Sequence, residues 1–171
     1  MFQLVVVVAA GWALAAGDGG TPGGWYVSGS FVSAYSFAAV PRGACGPGAG
    51  RIRLNEPDAK GEVKVLQTFR ADAYRGARVR WSATLHGRGL TGLGGLVLRA
   101  EAEDGAVLAN GDQPSALVPG AAGCARSSAV LDVPPTARFL SVGVSLAGGG
   151  ALEFSDVALE KVPDPAAPAP P

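Results

Sequence analysis

Arg78-Val79-Arg80-Trp81-Ser82-Ala83-Thr84-Leu85-His86 alternates side chains that avoid water with side chains that seek it. Successive side chains of an extended chain point to opposite faces, so Val79, Trp81, Ala83 and Leu85 share one side and the polar residues share the other. A helix would scatter both sets around its circumference. The stretch is therefore a half-buried β-strand with Trp81 on the core side.

The same period recurs to either side. Downstream, Gly92 to Ala102 sets Leu96, Leu98 and Ala100 against Val97, Arg99 and Glu101; Ser128 to Val133 follows. Arg138 to Leu146 carries an unbroken apolar face of Leu140, Val142, Val144 and Leu146, and Leu152 to Val162 closes the series. Upstream lie Val63 to Phe69, Arg51 to Leu54, Ala34 to Val40 (ended by Pro41) and Trp25 to Val27. Only Phe69 to Tyr74, terminated by Gly76, reads as a short helical turn. About eight or nine short strands punctuated by glycine and proline predict an all-β sandwich or barrel, and the one-sided apolar strands favour a sandwich of two sheets.

The ends read differently. Residues 1–17 form an apolar run without a charged side chain, shorter than the roughly 20 residues that span a bilayer core. With small residues at Ala13-Leu14-Ala15, and Ala15-Ala16-Gly17 as the alternative cut, it is expected to be a secretory signal peptide. The absence of an early Lys or Arg leaves an uncleaved anchor or a misplaced start as the alternatives. Residues 163–171, rich in Pro and Ala, suit an extended tail. The folded domain is expected over 18–162, secreted or periplasmic, with no integral span after cleavage.

Charge excludes some partners. Fourteen basic side chains balance 14 acidic ones, which gives no field for nucleic acid. No feature of the sequence fixes an oligomeric state. Cys45 and Cys124 are an even pair in an exported chain, so a disulfide is expected, with two buried thiols as the alternative.

From Val65 onward the chain resembles a bacterial jelly-roll module, often found with transcriptional regulators and similar in shape to galactose-binding and carbohydrate-binding domains. The matching stretches are Leu66-Gln67, then Tyr74-Arg75-Gly76-Ala77-Arg78-Val79-Arg80-Trp81-Ser82-Ala83 after six residues. Gly95-Leu96-Val97-Leu98-Arg99-Ala100-Glu101, Val130-Leu131-Asp132-Val133-Pro134 and Glu153-Phe154-Ser155-Asp156-Val157-Ala158-Leu159 continue the match. Val97 stands where the family carries Trp, and Cys124 about where it carries an aromatic, so stacking platforms of the family are missing here.

The binding face predicted from the strands is the polar side of Arg78 to His86: Arg80, Ser82, Thr84 and His86, joined by Arg99 and Glu101, with Asn110, Asp112 and Gln113 from a loop. Such groups hydrogen-bond sugar hydroxyls, and Trp25, Tyr26 or Tyr35 would supply stacking. Asp156, with Glu56 or Asp58, is a candidate oxygen set for structural calcium; no other cofactor is expected. His86 is the sole histidine and no serine sits in a nucleophile elbow, so no enzyme is expected. Glu101, Glu103 and Asp104 read as a solvated turn. The predicted function is an exported, non-catalytic module binding carbohydrate or another small polar ligand. The alternative is a structural or protein–protein interaction domain of the cell envelope.

Overall fold

The computed structural model describes residues 24–56 and 61–163. The expected leader, the tail beyond Pro163 and Asp58 lie outside the described residues. Eleven strands follow in chain order: β1 Tyr26–Gly29, β2 Tyr35–Gly43, β3 Gly46–Leu54, β4 Glu62–Arg70, β5 Arg78–Arg88, β6 Gly94–Glu101, β7 Val107–Asn110, β8 Gln113–Leu117, β9 Ala125–Asp132, β10 Phe139–Ala147 and β11 Ala151–Lys161. A single 3₁₀ turn, Val32–Ala34, precedes β2.

The strands form two antiparallel sheets. One runs β1-β4-β10-β6-β7, with β8 also paired to β6; the other runs β2-β3-β11-β5-β9. From β3 to β6, and again from β8 to β11, the chain changes sheet at every strand, so the protein is a jelly-roll-like β-sandwich. Nine of the strands coincide with the alternating runs of the sequence. β7 and β8 are additional, and the expected helical turn is instead the end of β4 followed by turns closed at Gly76, whose φ is 68°.

Alternation supplies the core. Val79, Trp81, Ala83 and Leu85 of β5 face Leu140, Val142, Val144 and Leu146 of β10, with Leu96 and Leu98 beside them, all withdrawn from water. Trp81 is fully buried and its indole Nε1 donates to the Gly143 carbonyl of the other sheet at 2.9 Å. Trp25 and Phe37 pack around Phe154 with ring centroids 5.4 and 6.1 Å away, closing one end of the core.

One element leaves the plane of its sheet. β2 and β3 pair from Tyr35↔Leu54 to Gly43↔Gly46, yet β3 pairs with β11 only from Gly50 to Arg53. The remaining arm folds over the outer face of the five-stranded sheet. Its tip donates the Ala44 amide to Glu153 Oε2 of β11 at 2.7 Å. Beyond that, Cys45 is bridged to Cys124, with Cα atoms 5.8 Å apart, just before edge strand β9. About five extended residues span ~16 Å, enough to cross the roughly 14 Å from β3 to β9. The arm is a strap clasped at its far end, and the expected disulfide is present.

Candidate functional site

The predicted binding face divides between the two sheets. Arg80, Ser82, Thr84 and His86 lie on β5, on the outer face of the five-stranded sheet. Arg99 and Glu101 lie on β6, and Asn110 and Gln113 on the adjoining β7 and β8, in the six-stranded sheet. Alternation assigns each side chain a face of its strand but not the sheet to which that strand belongs. The two groups therefore cannot contact one ligand.

The β5 group serves the fold. Arg126 of β9 reaches across it, donating through Nη2 to Ser82 Oγ at 2.7 Å and through Nη1 to Asp156 Oδ2 at 2.7 Å and to the Asp156 carbonyl. Thr84 Oγ1 lies 3.4 Å from the same guanidinium. His86 stands opposite Glu153, both oxygens of which are taken: Oε1 by Arg51 at 2.7 Å and Oε2 by the Ala44 amide. Among the described residues, His86 Nδ1 and Ser155 Oγ are buried without a hydrogen-bond partner. Arg80 opposes Glu160 and Val130 at the far end of this face.

The residues of the calcium expectation are placed apart as far as they are described, Asp58 lying outside the described residues. Asp156 occupies a bulge of β11 at φ 50°, and its carboxylate is paired with the Arg126 guanidinium. Glu56 follows Leu54, whose amide bonds the Gly150 carbonyl at the opposite end of β11. Among the described residues no three His, Cys, Asp or Glu side chains form a metal-binding group.

The six-stranded sheet provides the stronger site. Its central strand β10 turns Leu140 to Leu146 inward and presents Ser141, Gly143 and Ser145 outward. β4 flanks this row with Thr68, Leu66 and Lys64, and β6 with Arg99, Val97 and Gly95. Small residues between larger ones mark out a row about 13 Å long from Ser141 to Ser145, here termed the trough. Its floor is withdrawn from water, with Ser141 and Val97 each 1% exposed. Glycine is required at two points: a Cβ on Gly143 would come 2.0 Å from the Val65 carbonyl oxygen, and one on Gly95 would strike β8 at Gln113 and Pro114.

A polar row crosses this trough. Tyr26 Oη lies 2.8 Å from Thr68 Oγ1, which lies 2.7 Å from Ser141 Oγ. Ser141 adjoins Arg99 in register, and Arg99 Nε donates to Asp112 Oδ2 at 2.9 Å. Asp112 is itself fixed: its Oδ1 accepts the Leu98 amide at 2.9 Å and its own amide bonds Asn110 Oδ1 at 2.8 Å. The Asp112 hydrogen bond raises the Arg99 pKa further, although partial burial opposes it. Glu101, one row away, stands between Phe139 and Val107, and Gln113 is exposed at the start of β8. Each hydroxyl in the row both donates and accepts, so the chain can reverse direction to meet a ligand hydroxyl of either sense.

Of the expected stacking residues, Tyr26 alone is exposed. It is 43% exposed beside Leu66 at the trough wall. Trp25 is buried against Phe37 and Phe154. Tyr35 is buried too, its hydroxyl donating to the Gly61 and Gly148 carbonyls at 3.1 Å each, and burial raises its pKa with a further contribution from Glu62. The sequence reading had missed Thr68, Ser141, Gly143 and Ser145. Their signal was the polar complement of the apolar face of β10.

Comparison with known proteins places this geometry. No family model matches the chain. The chain is 27% identical over 141 residues to the uncharacterized HTH-type transcriptional regulator YbfP of Bacillus subtilis (strain 168), covering 81% of this chain and 48% of that protein. It therefore spans about half of that relative. Among solved structures, bacteriophage CBA120 tailspike protein 4 superposes with a TM-score of 0.61 at 14% identity, over 82% of this chain and 20% of the tailspike chain. The Clostridium thermocellum xylanase 10B CBM22-1–GH10 modules, complexed with xylohexaose, give 0.57 at 17% identity, over 86% of this chain and 28% of that one. The CBM22-1 xylan-binding domain of Paenibacillus barcinonensis Xyn10C gives 0.52 at 9% identity, over 85% and 89% of the two chains. The fold is that of carbohydrate-binding modules, in agreement with the resemblance carried by Gln67 to Ser82.

Proposed function

We propose that the trough of the six-stranded sheet binds a carbohydrate chain and performs no chemistry on it. The observation that carries this reading is the polar row Tyr26–Thr68–Ser141–Arg99–Asp112, laid across a floor of small residues. Its reversible hydroxyl chain suits sugar hydroxyls, its fixed Arg99–Asp112 pair orients them, and the Tyr26 ring offers a surface for a sugar C–H face. Modules of this fold in the xylanases lend support by analogy. A non-catalytic role fits the geometry, since His86 and Glu153 lie on the other sheet with the carboxylate fully engaged. Export fits the Cys45–Cys124 bridge and the apolar leader.

A glycan array followed by calorimetry on the domain tests the proposal. Tyr26→Ala is expected to weaken the strongest hit about two- to tenfold, the worth of one aromatic contact. Ser141→Val, which removes the central hydroxyl and fills the floor, is expected to abolish binding. A folded domain that captures no glycan, or one whose binding ignores both substitutions, would point instead to a protein-interaction role.

A further inference from the structure

The outer face of the five-stranded sheet carries a charge imbalance that the trough does not use. Arg53 of β3 and Arg88 of β5 both pair with Ala151 of β11, one on each side. They stand two strand spacings apart, about 10 Å between Cα atoms. Ala151 places only a methyl group between them. Both arginines are exposed, and among the described residues neither forms an ion pair or a side-chain hydrogen bond. One row along, Arg51 and Glu153 neutralise each other at 2.7 Å. Glu153 is engaged by Arg51 and the Ala44 amide and also feels the charge of Arg88, and among the described residues no second carboxylate stands in these two rows. Elsewhere on the face the cations Arg126 and Arg78 are matched by Asp156 and Asp132. The strap lies on the far side of Glu153 and leaves the Arg53–Ala151–Arg88 row open.

We propose that Arg53 and Arg88 form a second binding site, for the oxyanion groups of an acidic polysaccharide. A guanidinium presents a planar fork of donors that matches carboxylate and sulfate alike. Two such forks on long, flexible side chains, flanking a bare alanine, can hold one anion between them or two successive anions of a polymer. The row is open sheet surface rather than a pocket, which fits the pendant groups of a chain better than an isolated small anion. That the polymer is a glycan rests on the reading of the trough given above. The whole chain is electrically neutral, so attraction is local to this row and should weaken sharply with salt.

Affinity electrophoresis and calorimetry with heparin (sulfated), polygalacturonate (carboxylated) and neutral xylan, at low and at moderate salt, test the site. The full chain is compared with Arg53→Gln/Arg88→Gln, Arg80→Gln and Tyr26→Ala, each checked by thermal melting. The expected result is binding to at least one acidic polymer at low salt, cut tenfold or more by the double substitution and by salt. Arg80→Gln should leave it within twofold. The sulfated and carboxylated arms identify which oxyanion is held. Failure to bind either polymer, retention by the double variant, or an equal loss in Arg80→Gln would overturn the proposal. Equal competition by a DNA oligonucleotide would also overturn it. Loss of neutral-glycan binding alone would count against the trough and leave this site standing.

Discussion

Trp81 and Glu153 show how much single positions contribute. Trp81 fills the middle of the core and ties the sheets together through the Gly143 carbonyl. Trp81→Ala is expected to cost about 3–5 kcal/mol, from lost contacts and the cavity left behind. For a domain of this size that lowers the midpoint of a calorimetric melt by about 10–20 °C. Glu153 acts through charge at 3% exposure. Burial alone would raise its pKa, but the Ala44 amide and the Arg51 and Arg88 guanidinia outweigh burial and hold the carboxyl below its usual range. A depressed acid contributes stability that is complete above its unfolded value of about 4.3 and is lost as pH falls through the lower folded value. Urea unfolding should therefore show Glu153→Gln less stable than the native chain at pH 7. The gap should narrow at pH 3 as the native carboxylate protonates.

At the scale of elements, the strap and the central strand matter most. Reducing Cys45–Cys124, or replacing both cysteines with Ala, removes a cross-link between positions 79 residues apart. The chain-entropy account values such a link at about 4 kcal/mol. Melts with and without a thiol reductant should separate by about 10 °C or more, and the double variant should ignore the reductant. The elements also show what the sequence could reveal. Nine strands were legible because their apolar residues recur every second position. β7 escaped because Val107 and Leu108 are both exposed, and β8 because Pro114 interrupts a mostly exposed edge. Trp81 was correctly placed inside by its alternation with Val79 and Ala83. The candidate site was half legible: Arg99, Asn110 and Tyr26 were named, but they were joined to β5 residues of the wrong sheet. Pairing across the sandwich depends on contacts distant in sequence, and periodicity carries no record of them.

The whole molecule is a sandwich with two differently built outer faces. One has a recessed floor of serine and glycine crossed by hydroxyls; the other is strapped, charged and partly self-neutralising. The two proposed sites stand back to back, so a single glycan strand cannot occupy both at once. Binding to a neutral and an acidic polymer should therefore be additive in mixtures, without competition, and a titration of one in the presence of the other checks this. Somewhat over four-fifths of the chain matches about half of YbfP and only minor fractions of the tailspike and xylanase chains. The fold thus recurs as one part within larger proteins of unlike composition.

The clasp between Cys45 and Cys124 has one more effect, on what cutting the chain can do. It closes a covalent ring that contains β3 through β8. A protease that severs one peptide bond anywhere within that ring opens the backbone but releases no fragment. The nicked protein keeps its mass, and its two pieces remain tethered within reach of each other's strands. Only a cut outside the ring can shed a piece, and that piece comes from the β1–β2 end or from β9–β11.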